Sequence, residues 1–279
     1  MIIDFHTHVF PPKVKQKRSQ YIERDPCFAL LYAKKEAKIA TTEELIDSMD
    51  REGIDVSVIV NFGWITHELC VETNDYILES IARFPKRLIG FGTVQPQSLN
   101  AAIDEIERCA QNGARGIGEM RPDIQLLDLE DEPIVSPFME AIKTNRLIFL
   151  THASEPVGHE YPGKGIVTPD VLYPFLTKYP DVTIVCAHWG GGLPLYALMP
   201  EVQKSLQNVY FDTAASPLLY QPQIYTLVSQ LVGAEKILFG SDYPLLPPSR
   251  LLQEINATAL TDEEKRLVTG ENARKLLDI

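Results

Sequence analysis

The sequence predicts a closed barrel of eight parallel strands wrapped by helices, a (β/α)8 TIM barrel. Three observations carry that expectation. Short apolar runs alternate with helix-period segments along the whole chain, giving eight strand candidates, and such alternation implies a parallel sheet. A length of 279 residues suits one large barrel, so residues 1–279 are expected to form a single domain. The open, doubly wound alternative is disfavoured because no glycine-rich dinucleotide fingerprint follows any of the runs.

The elements follow in order. Ile2–His8 is a short apolar run closing on two histidines two residues apart. Residues 11–40 are an insertion with Tyr21, Phe28 and Tyr32, partly helical around 28–38, and read either as a surface excursion or as a lid over the strand's end. Thr41-x-x-Glu44 is a capping box opening a helix through Leu45, Ile46 and Met49, stopped near Gly53. Val56–Phe62 is nearly all apolar, as a strand buried on both faces should be. A helix through Tyr76, Ile77, Ile81 and Phe84 leads to a third strand, Leu88–Val94. The next helix carries Leu99, Ile103, Ile106 and Ala110 and precedes a fourth strand, Ala114–Glu119. Strands five to eight are expected at Leu147–His152, Val182–His188, Val209–Thr213 and Lys236–Asp242. Helices near residues 132–145, 169–179, 193–207 and 218–233 separate them, and Thr261-x-x-Glu264 caps the last helix through Leu267, Ala273 and Leu276.

Composition bounds the function. The hydrophobic fraction of 45% and charged fraction of 23% are those of an ordinary globular protein. A formal charge of −12 argues against non-specific binding to nucleic acid or to anionic membranes, but says little about the substrate, because a metal can reverse the local potential inside a pocket. Cys27, Cys70, Cys109 and Cys186 show neither metal-site spacing nor a disulfide framework, so reduced thiols and a cytoplasmic location are expected. No apolar run has the length of a membrane span, and a homo-oligomer is compatible with the sequence.

In barrels of this kind the chemistry sits at the carboxyl ends of the strands. His6 and His8, Glu119, His152, His188 and Asp242 all fall there, four of the chain's six histidines among them. Residues i and i+2 of a strand share a face, which pairs His6 with His8, Leu150 with His152, Cys186 with His188, and Leu238 and Gly240 with Asp242. Asp4 has the same parity as His6 and is expected to support the ligands or to begin the strand. Imidazole nitrogens and carboxylate oxygens suit Zn²⁺ best, with Mn²⁺, Fe²⁺, Co²⁺ and Ni²⁺ also accommodated. A donor set without thiolates, and larger than a closed tetrahedron needs, points to a catalytic rather than a structural site.

Phe5-His6-Thr7-His8, Thr151-His152, Ala187-His188-Trp189-Gly190-Gly191 and Phe239-Gly240-Ser241-Asp242-Tyr243-Pro244 resemble the amidohydrolase superfamily, in particular its amidohydrolase-2 branch of metal-dependent hydrolases, lactonases and nonoxidative decarboxylases. The resemblance runs from residue 2 to the Glu271-Asn272-Ala273 helix. It implies that His6, His8, His152 and Asp242 hold a single metal, with His188 beside it polarising the substrate or moving a proton. Gly116-Ile117-Gly118-Glu119 is similar to the glutamate-bridged type, which includes TatD-like nucleases. In that arrangement Glu119 bridges two ions, one on His6, His8 and Asp242 and one on His152 and His188.

A bound divalent ion lowers the pKa of its water toward ~7, Asp242 can accept that proton, and the metal or a protonated His188 can stabilise an oxyanion. The expected function is therefore hydrolysis of an amide, lactone or ester in a small organic molecule. Nonoxidative decarboxylation is the alternative, since the same ligands serve both. A TatD-like nuclease and a non-catalytic metal-binding protein stand further off. Arg121 is a candidate for a substrate carboxylate or a structural salt bridge. Tyr161, in the loop Ser154–Lys164 with His159 and Glu160, is a candidate pocket residue, and Trp189 is either a substrate wall or barrel packing. Gly190-Gly191-Gly192 suits a tight turn better than a phosphate site.

Overall fold

A computed structural model describes all residues, 1–279. Eight parallel strands form one sheet in the order β1 to β8: Ile3–His8, Val56–Val60, Leu88–Gly92, Gly116–Met120, Ile148–Thr151, Ile184–Cys186, Val209–Asp212 and Ile237–Leu238. The eighth strand is shorter than the sequence predicts, because its continuation leaves the ladder to bond β1 directly. Phe5 N donates to Phe239 O at 2.7 Å, Asp242 N to His6 O at 2.9 Å and His8 N to Tyr243 O at 2.7 Å, which brings the two ends of the sheet together. No helix is long and apolar enough to cross a membrane.

Both faces of the sheet are buried, which is why the strands read as continuous apolar runs rather than as alternations. Ile3, Phe5, Val58, Val60, Phe91, Leu150, Val185 and Leu238 fill the interior of the sheet. The opposite face, with Ile59, Ile117, Phe149, Cys186 and Phe211, packs against the surrounding helices. Both capping boxes form: Thr41 and Glu44 bond each other's backbone reciprocally, as do Thr261 and Glu264. The helix expected over 193–207 is instead a single turn at Leu193–Tyr196 and a short helix at Pro200–Ser205, separated by a loop.

The insertion after β1 folds into three short helices, Pro12–Gln16, Arg18–Arg24 and Pro26–Tyr32. Its helical part thus ends at Tyr32, short of the expected residue 38. Phe10, Phe28, Tyr32, Phe62 and Trp64 bury one another there, and Phe28 stacks on Trp64 with ring centroids 5.4 Å apart. Asp25 fastens the segment, one oxygen capping the third helix at Phe28 N and the other accepting from Ile65 N, both at 2.8 Å. The insertion is a fixed wall beside the barrel mouth rather than a solvated excursion.

Candidate active site

The carboxyl ends of β1, β4, β5 and β6 and the segment after β8 bring every strand-end donor named above to one place. His6 Nε2 lies 3.1 Å from His8 Nε2. Glu119 Oε2 lies 3.7 Å from the first and 3.6 Å from the second, and Asp242 Oδ1 lies 3.9 and 3.4 Å from them. The other oxygen of Glu119 faces His152 Nδ1 at 2.8 Å and His188 Nε2 at 3.2 Å. Glu119 is therefore common to two groups of donors, one with His6 and His8 and one with His152 and His188.

Strand parity accounts for only part of this convergence. A register shift between Asp4 and Thr7 re-phases β1. Ile3 and Phe5 point inward, and the two histidines follow on the same side. Asp4 therefore does not share the face of His6 as its parity predicts; its carboxylate accepts instead from Ser241 N at 2.9 Å and Ser241 Oγ at 2.5 Å. A second shift, between Ile117 and Met120, turns Glu119 inward although Ile117 packs outward. Gly118 permits the turn: its φ is +149° and a Cβ there would stand 2.3 Å from Leu150 O.

His188 does not share a face with Cys186, correcting that expectation. Val185 and Ala187 point into the barrel and Cys186 outward. The chain then enters the left-handed region at His188 and Trp189, with φ of 55° and 58°. This turn, rather than strand alternation, delivers the imidazole. The glycines that follow serve the turn, since a Cβ on Gly191 would lie 2.2 Å from Ser154 O.

Asp212, at the end of β7, is the functional candidate that the sequence reading missed. Its Oδ2 accepts from His6 Nδ1 at 2.7 Å, while Oδ1 accepts from His188 N at 2.9 Å and Ala214 N at 3.0 Å. The rule applied to the other strand ends would have found it, because it is a carboxylate closing a strand. With Nδ1–H donated to Asp212, His6 turns Nε2 toward the cluster, where release of its proton would offer a lone pair to a cation. His188 is fixed in the same way, donating Nδ1–H to Ala214 O at 3.1 Å, whereas His8 Nδ1 is buried without a partner.

Charge is arranged sharply. Burial pushes the Glu119 carboxyl up, but hydrogen bonds from His152, His188 and His6 outweigh it and hold the group well below the usual carboxylate range. For His188, burial opposes the proton and the Glu119 carboxylate restores it, raising the imidazole to about 9. Burial and the nearby Arg121 charge push His152 down to about 4. Asp242 falls to about 2, the hydrogen bond to His8 and the charge of His6 overcoming burial. Burial opposes a proton on His6 as well, but the Asp212 and Glu119 carboxylates outweigh it and raise the imidazole well above its usual range. In the metal-free protein at neutral pH two ionised carboxylates, a neutral His152 and cationic His6 and His188 face one another.

His6 Nε2, His8 Nε2 and Glu119 Oε2 form one group that could hold a divalent cation, and Asp242 Oδ1 lies 3.9 and 3.4 Å from the two imidazole nitrogens. Donors about 2.1 Å from a tetrahedral ion lie roughly 3.4 Å apart, close to these separations. Without a cation between them, the Glu119 and Asp242 carboxylates hold His6 and His188 toward their protonated forms, the charge that a bound cation would replace.

A cavity of about 530 Å³ opens above the cluster, lined by His8, Glu119, His152, His188 and Asp242, a size typical of small-molecule sites. Leu31, Tyr32, Phe62, Leu218, Leu219 and Leu245 supply apolar walls. Arg121, just past β4, lines it too, as do Tyr161 and His159 from the loop after β5. Tyr161 donates its hydroxyl to Glu155 at 2.9 Å. Trp189 is not a substrate wall: it is fully buried, donates Nε1–H to Ser216 Oγ at 2.9 Å and packs edge-on to Tyr225. The left-handed backbone that sends His188 into the cavity sends its neighbour into the helical layer.

Eight parallel strands with a buried cation-binding donor set at their carboxyl ends define the class of metal-dependent barrel enzymes. The family model described as Amidohydrolase matches residues 3–279, and the chain belongs to that family. It is 22% identical to the 2-amino-3-carboxymuconate-6-semialdehyde decarboxylase of Dictyostelium discoideum, over 99% of this chain and 91% of that protein. It is 23% identical to the gamma-resorcylate decarboxylase of a Polaromonas species, over 76% of this chain and 77% of the relative. The 5-carboxyvanillate decarboxylase of Novosphingobium aromaticivorans, solved with bound manganese, superposes with a TM-score of 0.84 at 19% identity, covering 100% of this chain and 97% of the other. These decarboxylase relatives overturn the expectation of a hydrolase. The donor set serves either reaction, so the ligands alone had not separated the two.

Proposed function

We propose that this chain is a metal-dependent nonoxidative decarboxylase of a small unsaturated or aromatic carboxylic acid. The observation that carries the reading is the decarboxylase activity of relatives matching most of the chain, and the cationic His188 lining the apolar-walled cavity suits it. In this reading His6, His8, Glu119 and Asp242 hold one divalent cation. The manganese in the solved relative makes Mn²⁺ the first ion to supply, in place of the Zn²⁺ preferred from the donor types alone. When bound, the cation supplies a Lewis-acid charge that anchors the substrate's carboxylate.

The protein's own groups do the rest. Asp212 and Ala214 O fix the tautomers of His6 and His188. His152 stays neutral and outside the cation's shell, hydrogen-bonded to Glu119. His188 Nε2–H delivers its proton to the carbon bearing the carboxylate. The bond from that carbon to the carboxylate then breaks, its electron pair restores the unsaturated system, and CO₂ departs. The neutral imidazole takes a proton from solvent, so the sum is RCOO⁻ plus H⁺ giving RH plus CO₂. Leucine and aromatic walls favour this outcome, because an apolar site destabilises the carboxylate relative to neutral CO₂.

The test is to load the protein with Mn²⁺ and offer hydroxylated benzoates, carboxylated vanillates and carboxylated muconate semialdehydes while trapping CO₂. Release of CO₂ equal to the acid consumed supports the reading. Consumption without CO₂ overturns it.

A further inference from the structure

The carboxyl ends of β2 and β3 bring no donor to the cluster. They end instead in a buried polar network built on Asn61, which directly follows β2, and Thr93, just past β3. Asn61 O accepts from Glu119 N at 2.6 Å, and Asn61 N donates to Gly118 O at 3.0 Å. Asn61 thus holds both the carbonyl and the N–H of the peptide group that joins Gly118 to Glu119. That peptide needs an outside partner, because β3 pairs with β4 only through Gly116 and Ile117. The Asn61 side chain is committed in turn. Nδ2 donates to Thr73 Oγ1 at 2.8 Å and to Asn74 Oδ1 at 2.9 Å, while Oδ1 accepts from Phe62 N at 2.8 Å. Asn74, on the His67–Arg83 helix, joins this to β3: Oδ1 accepts from Thr93 N at 2.8 Å, and Nδ2 donates to Thr93 O at 2.8 Å and to Glu105 Oε1 at 2.7 Å. Arg108 forks onto Glu105 with Nε and Nη2, both at 2.7 Å.

We propose that Asn61, braced by Thr73 and Asn74, is a positioning residue for the cation: it fixes the backbone of Glu119 so that the carboxylate stands between the two groups of donors. The proposal rests on Glu119 as a cation donor, and not on which reaction the cation serves. Every amide hydrogen of Asn61 and Asn74 is used, and a buried network of this kind rigidifies what it holds only while it is complete. The part of β4 that it holds is the part that has left the strand register, between Ile117 and Met120. Asn61 itself touches neither cation nor substrate donors through its side chain, so its influence passes through the Glu119 main chain.

The experiment is calorimetric titration of the metal-stripped chain with Mn²⁺, with chemical denaturation of each variant alongside. Asn61→Asp sets a carboxylate oxygen against Asn74 Oδ1 and is expected to weaken Mn²⁺ binding about tenfold or more. Thr73→Val, which removes one acceptor, is expected to give a smaller loss, and Thr73→Ser, which keeps the hydroxyl, to restore wild-type affinity. Should Asn61→Asp not fold, the Thr73 pair decides. Asn272 is the control, a buried asparagine that donates to Ala234 O and Ile237 O at 2.7 and 2.8 Å at the amino end of β8. Asn272→Asp is expected to lose stability while Mn²⁺ affinity stays unchanged. Unchanged affinity in folded Asn61→Asp or in Thr73→Val overturns the proposal, as does an equal loss of affinity in Asn272→Asp. Undiminished affinity in Glu119→Gln would overturn the ligand reading and the positioning role together, whereas a loss confined to Glu119→Gln overturns the positioning role alone.

Discussion

Asp212 Oδ2 lies 2.7 Å from His6 Nδ1, and its other oxygen accepts from the backbone of His188 at 2.9 Å. One carboxylate thus orients both a candidate ligand and the candidate proton donor. Asp212→Asn is expected to weaken Mn²⁺ binding about 10- to 100-fold, the usual cost of losing such a partner. Calorimetric titration of the stripped protein measures it. Undiminished affinity would mean that the backbone alone orients His6.

The proposed cation shell sets a stoichiometry. Elemental analysis of reconstituted protein is expected to give one ion per chain. Asp242→Asn and Glu119→Gln should each lower occupancy, and His188→Asn should leave the count at one. Two ions in the wild type, falling to one in His188→Asn, would place His188 in a second metal shell with Glu119 and His152.

Glu119 and His188 also predict a pH dependence for the metal-free protein. The folded His188 is raised to about 9, above an unfolded value of about 6.5. Its contribution to stability is therefore fully present below about pH 6.5, and is lost as pH rises through 9. Denaturation of stripped wild type across that window should show stability falling, and Glu119→Gln should flatten this component of the slope. A wild-type slope left intact in the variant contradicts the pairing.

How far the sequence exposed this arrangement depended on whether a residue's role was local. The capping boxes at Thr41 and Thr261 use atoms three residues apart, and both form as read. The eight strands and the donors ending them were legible because burial on both faces leaves an apolar run that a polar residue visibly closes. What failed was phase. Strand alternation misplaced Asp4 and paired His188 with Cys186, because register shifts and left-handed turns leave no periodic trace. Asp212 was overlooked although it closes its strand as the other donors close theirs, and only its partner His6, 206 residues away across the barrel, left no local trace. The chemistry was misread for another reason: identical ligands serve hydrolysis and decarboxylation.

The aromatic wall should be structural as well as functional. Phe28 is fully buried and stacked on Trp64, so Phe28→Ala should cost about 3–5 kcal/mol. Chemical denaturation measures that loss, and a raised KM is expected because Tyr32, on the same helix, lines the cavity. A cost under about 1 kcal/mol would show that the insertion packs loosely.

The most direct measurement is decarboxylation in D₂O by the Mn²⁺-loaded enzyme, with the product read by NMR. Transfer from His188 to carbon predicts one deuterium at the carbon that lost CO₂, and a rate reduced about 100-fold or more in His188→Asn. A product that keeps its carboxylate and gains the elements of water elsewhere, or an undiminished rate in the variant, would contradict the account.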